Sequence, residues 1–481
     1  MNKCRQHWML TTPILRLLLA ASLPIVPAIF LLNAFDLLET SLIARLCTSQ
    51  LTALGYSTPL TTAMTGIAIA LSIASNSWIC RVKAGINAHG PASEKNELNN
   101  SLIRALILST SVTLVLAILL FWLSPGFYLL LGAKTTPEPE LISGIQPLVT
   151  EYSQIRLMGW VPLVLIWQVN GMLRSLGHIK QASFLLIAWM LTKSALSYIL
   201  IGNGQYPLLF TTGLLGAGYA HLISDTLFAL LSLLTILRGL GIQKHQASSI
   251  QWANTFRQMS VTGLNACLQQ LYLPISIGLL TFYFAGLAED KVALLGIIFR
   301  IEALALLVPM VFTASLPGLI AANWWEGNMG RVKGLVVKGF AIIVLIQALV
   351  AVMLYFNPLS VASSITQDPN LLEEVQHYLL FVPISFIGAG CSMVALSCLN
   401  AIGKSANASI LGFSHRLVLT LVFAMLGGWF ASVPGVFIGI ASAHFLSLAL
   451  VFKYFIRVIW HNNPKIAPVL GDKGHIKLEL S

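Results

Sequence analysis

The sequence predicts an all-α polytopic membrane protein of twelve transmembrane helices, arranged as two related six-helix halves. Composition, the length of the apolar runs and internal repetition carry that prediction. Of 481 residues, 57% are hydrophobic and only 9% are charged, giving a mean hydropathy of +0.82. A soluble domain carries roughly 25% charged residues. A soluble enzyme, a disordered chain and a disulfide-stapled secreted domain are excluded on the same grounds. The apolar residues run in continuous blocks such as Leu17–Phe35, which excludes the alternating pattern of a membrane β-barrel.

Twelve blocks define helices 1 to 12, in order at 12–37, 53–79, 102–124, 155–173, 182–202, 213–237, 260–285, 293–321, 335–356, 377–400, 407–430 and 434–458. A span needs about 20 residues, and these blocks supply that. The first follows Lys3 and Arg5. It is too long for the core of a secretory signal and ends without a clear small-residue cleavage site, so it counts as helix 1.

Charge sets the orientation. Loops on the side of the termini hold Arg81, Lys83, Lys95, Arg174, Lys180, Arg238, Lys244, Arg257, Arg331, Lys333 and Lys404, and the tail adds Lys465, Lys473 and Lys477. The opposite loops hold Arg45, Lys134 and Lys291 among seven acids, including Glu138, Asp290 and Glu374. The positive-inside rule puts both termini in the cytoplasm, and the expected location is the inner (plasma) membrane. The net charge of +11 is thus a matter of loops, and no nucleic-acid partner is implied.

The halves echo each other. Gly216-x-x-x-Ala220-His221 in helix 6 recurs as Gly439-x-x-x-Ala443-His444 in helix 12, and Arg174-Ser175-Leu176-Gly177 after helix 4 recurs as Asn400-Ala401-Ile402-Gly403 after helix 10. The stretch from Leu54-Gly55 to Ala84-Gly85 returns loosely as Leu295-Gly296 to Glu326-Gly327. Three echoes in order, at similar offsets, indicate a duplicated six-helix unit whose copies share one orientation. The expected lobes are residues 1–245 and 246–481, joined near Gln243–Ser249.

Ionisable residues inside spans are costly, so they mark cavities or partners. Asp36 and Glu39 lie three apart on one face of helix 1, Lys193 lies in helix 5, and His221 and Asp225 lie four apart in helix 6. The second half offers Arg300 and Glu302 in helix 8 and His444 in helix 12. Each has a plainer alternative. The acids of helix 1 would then sit hydrated at the outer interface, Lys193 would snorkel, the histidines would bond a backbone carbonyl, and Arg300 and Glu302 would form or join a structural ion pair near the outer mouth. Acids and a lysine that share a low-dielectric cavity have coupled proton affinities, as a proton-coupled carrier requires. Pro24 and Pro27 weaken the hydrogen-bond ladder of helix 1 and mark a kink. Tyr152 and Trp324-Trp325 are expected as interfacial anchors.

Other chemistries lack their motifs. The chain has no Gly-x-x-x-x-Gly-Lys-Ser/Thr phosphate loop, no His-Glu-x-x-His site and no Gly-x-Ser-x-Gly elbow. Six scattered cysteines do not have metal-type spacing. No enzymatic activity, cofactor or metal is expected, and energy must come from an ion gradient or the solute's own.

Glu39-Thr40-Ser41-Leu42-Ile43-Ala44-Arg45-Leu46 followed by Leu51-Thr52-Ala53-Leu54-Gly55 resembles the helix 1–2 motif of the multidrug and toxic compound extrusion (MATE) family. Phe299-Arg300-Ile301-Glu302-Ala303-Leu304 through Leu316-Pro317-Gly318-Leu319-Ile320 to Gly330-Arg331 is similar to its helix 8 region, and Asn170-Gly171-Met172-Leu173 to the end of its helix 4. The resemblance implies two six-helix lobes around a central cavity, and a monomeric antiporter that exports amphipathic organic compounds by alternating access. Departures are equally informative. Glu39 stands where the family carries Asp, and Ala44 replaces a Gly. Lys193 and Ser197 fall on an Asn and an acid of helix 5, and His221 falls on a small hydroxyl residue. Gln269, Gln270 and Tyr272 occupy the region where some members carry a cation-binding Glu, so a second-half ion site is expected to be absent.

A fixed ammonium beside Asp36 or Glu39 would repel sodium, so proton coupling is preferred. It also makes the cavity less negative than a cation carrier needs, which favours zwitterionic, anionic or lipid-linked solutes. The alternatives are a flippase of a lipid-linked precursor and an exporter of one dedicated natural product.

Overall fold

The computed structural model describes residues 12–89, 94–134, 144–176, 178–202, 213–240, 249–288 and 290–461. Most of the expected join at Gln243–Ser249, and several of the charged loops and the tail on which the orientation rests, lie outside them. The described residues form helices joined by short turns, without a strand.

Ten stretches among them are long and apolar enough to cross a membrane. Helix 4 is the eleventh, split at Gly159 into Ile145–Met158 and Trp160–Leu176. The twelfth appears because the 56-residue run Ala406–His461 reverses at Ala431 and Ser432, where Ser432 takes φ 51°. This hairpin of helices 11 and 12 is closed by Gly427 and Gly435, since a Cβ on either would collide with the other's carbonyl. The twelve-helix all-α fold is therefore present.

Several helices are broken. Helix 1 runs as Ile14–Ser22 and Val26–Ala44, interrupted beside Pro24 and Pro27. Helix 8 runs as Asp290–Ala305 and Leu307–Trp325. Helix 10 passes through a 3-10 turn at Pro383–Ser385, and helix 11 through a π turn at Ser414–Leu419. The other spans are continuous: Thr48–His89, Glu94–Leu130, Ile179–Ile201, Leu214–Leu240, Ser249–Leu287 and Met329–Phe356 are helices 2, 3, 5, 6, 7 and 9.

Packing differs between the two ends. At the end holding the turn between helices 1 and 2, one apolar core runs from Phe35, Leu54 and Tyr152 into Val292, Tyr378 and Phe437 of the second half. Polar bonds reinforce it: Ser41 Oγ donates to the Ser364 carbonyl at 3.0 Å and Thr48 Oγ1 to Asp368 at 2.8 Å. Gly55 and Gly296 lie at the crossing of helices 2 and 8, where a Cβ on Gly55 would sit 2.5 Å from the Val292 carbonyl oxygen. At the opposite end there are two cores. One gathers Phe312, Leu335, Val394 and Phe455, the other Ile79, Leu102, Met172 and Ile236. The first half of helix 1 joins the second-half core through Leu17 and Leu18, with Ser22 bonded to Ser315 at 2.8 Å. Helix 7 reciprocates, burying Met259 in the first-half core.

Large apolar side chains cover the outside, with Trp122, Trp429 and Phe430 about four-fifths exposed, a surface suited to lipid. Tyr152 and Trp324, expected as interfacial anchors, are instead buried. Each sits on the inward face of its helix, a direction that residue type does not encode.

Candidate functional site

The polar site forms where helices 1, 5 and 6 meet. The second half of helix 1 carries Phe35, Asp36 and Glu39, and the four-residue spacing in helix 6 puts His221 and Asp225 on one face. His221 Nε2 lies 2.8 Å from Glu39 Oε1, so one proton is shared between an imidazole nitrogen and a carboxylate oxygen. One turn along, Lys193 Nζ of helix 5 lies 2.7 Å from Asp225 Oδ1. That oxygen also accepts from Trp189 Nε1 at 2.8 Å. Glu39, Lys193, His221 and Asp225 are all at most 6% exposed.

Aromatic rings join the two pairs. Lys193 Nζ sits 4.2 Å from the centroid of the Trp189 ring and 5.8 Å from that of Phe35. Phe35 in turn meets the His221 ring edge-on at 5.3 Å. A cation over aromatic faces in a dry site is attracted to them, so Lys193 is held by a carboxylate and two rings rather than snorkelling to an interface.

Asp36 differs from its neighbours. Its side chain is exposed, although the charges of Arg300, Glu39, Lys193 and Arg156 all act on it. Asp36 is thus accessible to solvent while lying among charges contributed by both halves of the chain. Arg156, at the end of the first half of helix 4, and Arg300 both act on Glu39 and on buried Tyr152 as well. Sequence reasoning missed Arg156, Tyr152, Trp189 and Phe35 as site residues. Arg156 had a signal, because it is the one charge inside its apolar block, next to the block's edge.

The second half is arranged differently from expectation. Arg300 and Glu302 do not pair with each other; two residues apart on a helix, they point about 200° apart. Arg300 Nη1 donates to the Gly296 carbonyl at 2.9 Å and turns toward the acids of helix 1. Glu302 faces Tyr378 and Arg416. His444 Nδ1 lies 2.9 Å from Ser385 Oγ, and its ring is 6.1 Å from that of His415. The repeated Gly-x-x-x-Ala-His motif thus buries both histidines, one against a carboxylate and one against a hydroxyl. Gln269 Nε2 donates to Ser409 Oγ at 2.9 Å and its Oε1 accepts from Asn400 at 3.2 Å. Gln270 packs its Cβ and backbone against Gly66.

Twelve helices, several of them broken, packed around buried charges define a membrane transporter. The family follows from the sequence match: residues 24–199 and 264–426 fit the MatE family model, and the chain belongs to that family. It is a multi-pass membrane protein that moves small organic solutes across the membrane, not an enzyme. A curated relative from Shewanella oneidensis named FAD transporter is 27% identical over 443 residues, covering 92% of this chain and 94% of that one. Among solved structures, the chain is similar to an inward-facing multidrug resistance MATE transporter of the MOP superfamily, at TM-score 0.76 and 20% identity over 88% of this chain and 94% of the other. It is also similar to a substituted Vibrio cholerae MATE transporter, at TM-score 0.73 and 21% identity over 94% and 98%. An outward-facing multidrug resistance MATE transporter gives 0.72 at 20% identity over 94% and 97%. At these identities the structures share the fold.

Proposed function

We propose that the protein is a proton-driven antiporter of the inner membrane that exports an amphipathic organic solute, with anionic solutes preferred over cations. The observation that carries this is the pairing of Lys193 with Asp225 beside the Glu39–His221 contact. A buried ammonium adds a positive charge where a sodium ion would otherwise bind among carboxylates, and it repels one. A carboxylate and an imidazole sharing a proton lose or gain it as helix 1 moves, and that movement is available because helix 1 is broken beside Pro24 and Pro27. Lobes 1–245 and 246–481 would rock about the cleft at Asp36 within one monomer. With both termini in the cytoplasm, as the loop charges favour, the end with two separate cores faces inward.

Export of one dedicated natural product is favoured by the relative named FAD transporter together with two arginines at the cleft. A flavin dinucleotide is amphipathic and carries negative phosphates, which suits a cleft lined by Arg156 and Arg300.

The test is transport by proteoliposomes under an imposed pH gradient without sodium, with FAD and a fluorescent organic cation in separate vesicles. FAD movement that needs the gradient and is lost in Glu39→Gln supports the proposal. Movement of the cation alone overturns the anionic preference, and movement driven only by sodium overturns proton coupling. A solute that moves under neither gradient turns attention to a lipid-linked precursor.

A further inference from the structure

Arg156 and Arg300 approach the cleft from different lobes, one from helix 4 and the other from helix 8. Three of their donor nitrogens, Nε and Nη1 of Arg156 and Nε of Arg300, are shielded from solvent and have no hydrogen-bond partner. Two of the nearby carboxylates already have partners. Glu39 holds His221, and Asp225 holds both Lys193 and Trp189. Asp36 forms no ion pair with either arginine among the described residues, although both act on it. Both side chains are only half-buried, but a shielded guanidinium donor that stays empty is costly, because its desolvation is not repaid. The planar fork matches groups that present several oxygens together, which means a carboxylate or a phosphate.

We infer that Arg156 and Arg300 form an anion subsite across the seam between the lobes, which takes the phosphate or phosphoanhydride group of the transported solute. The inference rests on the anionic-solute reading above and deepens it. Two forks that offer empty donors from different sides suit phosphate oxygens, which point in several directions, better than one flat carboxylate. Because the two arginines belong to different lobes, the bound anion also bridges them. A phosphate could also arrive on a lipid headgroup, and the test separates the two sources.

Binding of inorganic pyrophosphate, FAD, FMN and riboflavin is measured by tryptophan fluorescence in nanodiscs of phosphatidylcholine, for the wild type, Arg156→Gln and Arg300→Gln. The wild type should bind pyrophosphate, and FAD at least about tenfold tighter than riboflavin, the size of one charge-assisted hydrogen bond. Each Gln variant should lose that phosphate-dependent part and leave riboflavin unchanged. Arg156→Lys and Arg300→Lys keep the charge without the fork, so they fall between if the Gln variants do not fold. FAD that binds every variant equally overturns the subsite and leaves the flavin reading standing. Arginine-dependent pyrophosphate binding without any flavin binding supports the subsite and overturns the flavin reading. No phosphate-dependent binding by the wild type overturns the subsite. An arginine-dependent signal seen only when phosphatidylglycerol is added to the nanodisc assigns the site to a lipid headgroup and overturns its role toward the solute.

Discussion

His221 Nε2 and Glu39 Oε1 meet at 2.8 Å across helices 6 and 1, and neither residue is more than 6% exposed. The contact ties the second half of a broken helix to the wall of its own lobe. Removing the exchangeable proton while keeping the shape isolates its role. Glu39→Gln should abolish pH-gradient-driven transport in proteoliposomes while changing the melting temperature little, since the amide still reaches the imidazole. Retained gradient-driven transport would remove Glu39 from the coupling mechanism.

The bond between Lys193 and Asp225 changes what a lysine substitution tests. Were Lys193 snorkelling to an interface, Lys193→Ala would leave folding largely intact. With Asp225 buried and paired at 2.7 Å, that variant leaves an uncompensated charge, a loss of about 3–5 kcal/mol. Lys193→Met should therefore melt well below wild type, and the double variant Lys193→Met with Asp225→Asn should recover most of the loss. Additive losses in a double-mutant cycle would mean that the two side chains do not act as a pair.

Gly55 is held to its size by helix 8. A Cβ there would lie 2.5 Å from the Val292 carbonyl oxygen, whereas nothing lies within 4 Å of a Cβ added to Gly318. Overpacking of this kind costs about 1–3 kcal/mol. Gly55→Ala should lower the melting temperature while Gly318→Ala leaves it unchanged, and equal behaviour of the two would show that the helix 2–helix 8 crossing has slack.

Lys291 ties the start of helix 8 to helix 10, with Nζ 2.8 Å from Glu374 and 3.1 Å from Asp290. Partial burial works against its charge, but the two carboxylates outweigh it and hold the ammonium above its ordinary value. A group raised in this way stabilises below its unfolded value and loses the contribution as pH rises through the folded one. The window is therefore alkaline. At neutral pH Lys291→Gln should cost less than about 1 kcal/mol, as half-exposed pairs do, and the difference from wild type should shrink in strongly alkaline buffer. A larger loss at pH 7 would make this pair a structural strut of the end that holds the turn between helices 1 and 2.

The lengths of the apolar runs suffice for the membrane, the twelve helices and their order, because a chain in lipid must satisfy its backbone within each span. They also single out Asp36, Glu39, Lys193, His221 and Asp225, since a charge inside an apolar run needs a reason. Local spacing goes one step further and puts His221 and Asp225 on one face. Only tertiary packing decided that His221 takes Glu39 while Asp225 takes Lys193, because those partners come from helices 1 and 5, far apart in the chain. It also decided that Arg300 looks across the seam while Glu302 looks into its own lobe. Arg156 resembles an interfacial residue in sequence, being a lone charge at the edge of an apolar block. Its place at the site shows only in tertiary structure, where its charge acts on Asp36 and Glu39, residues far from it in the chain.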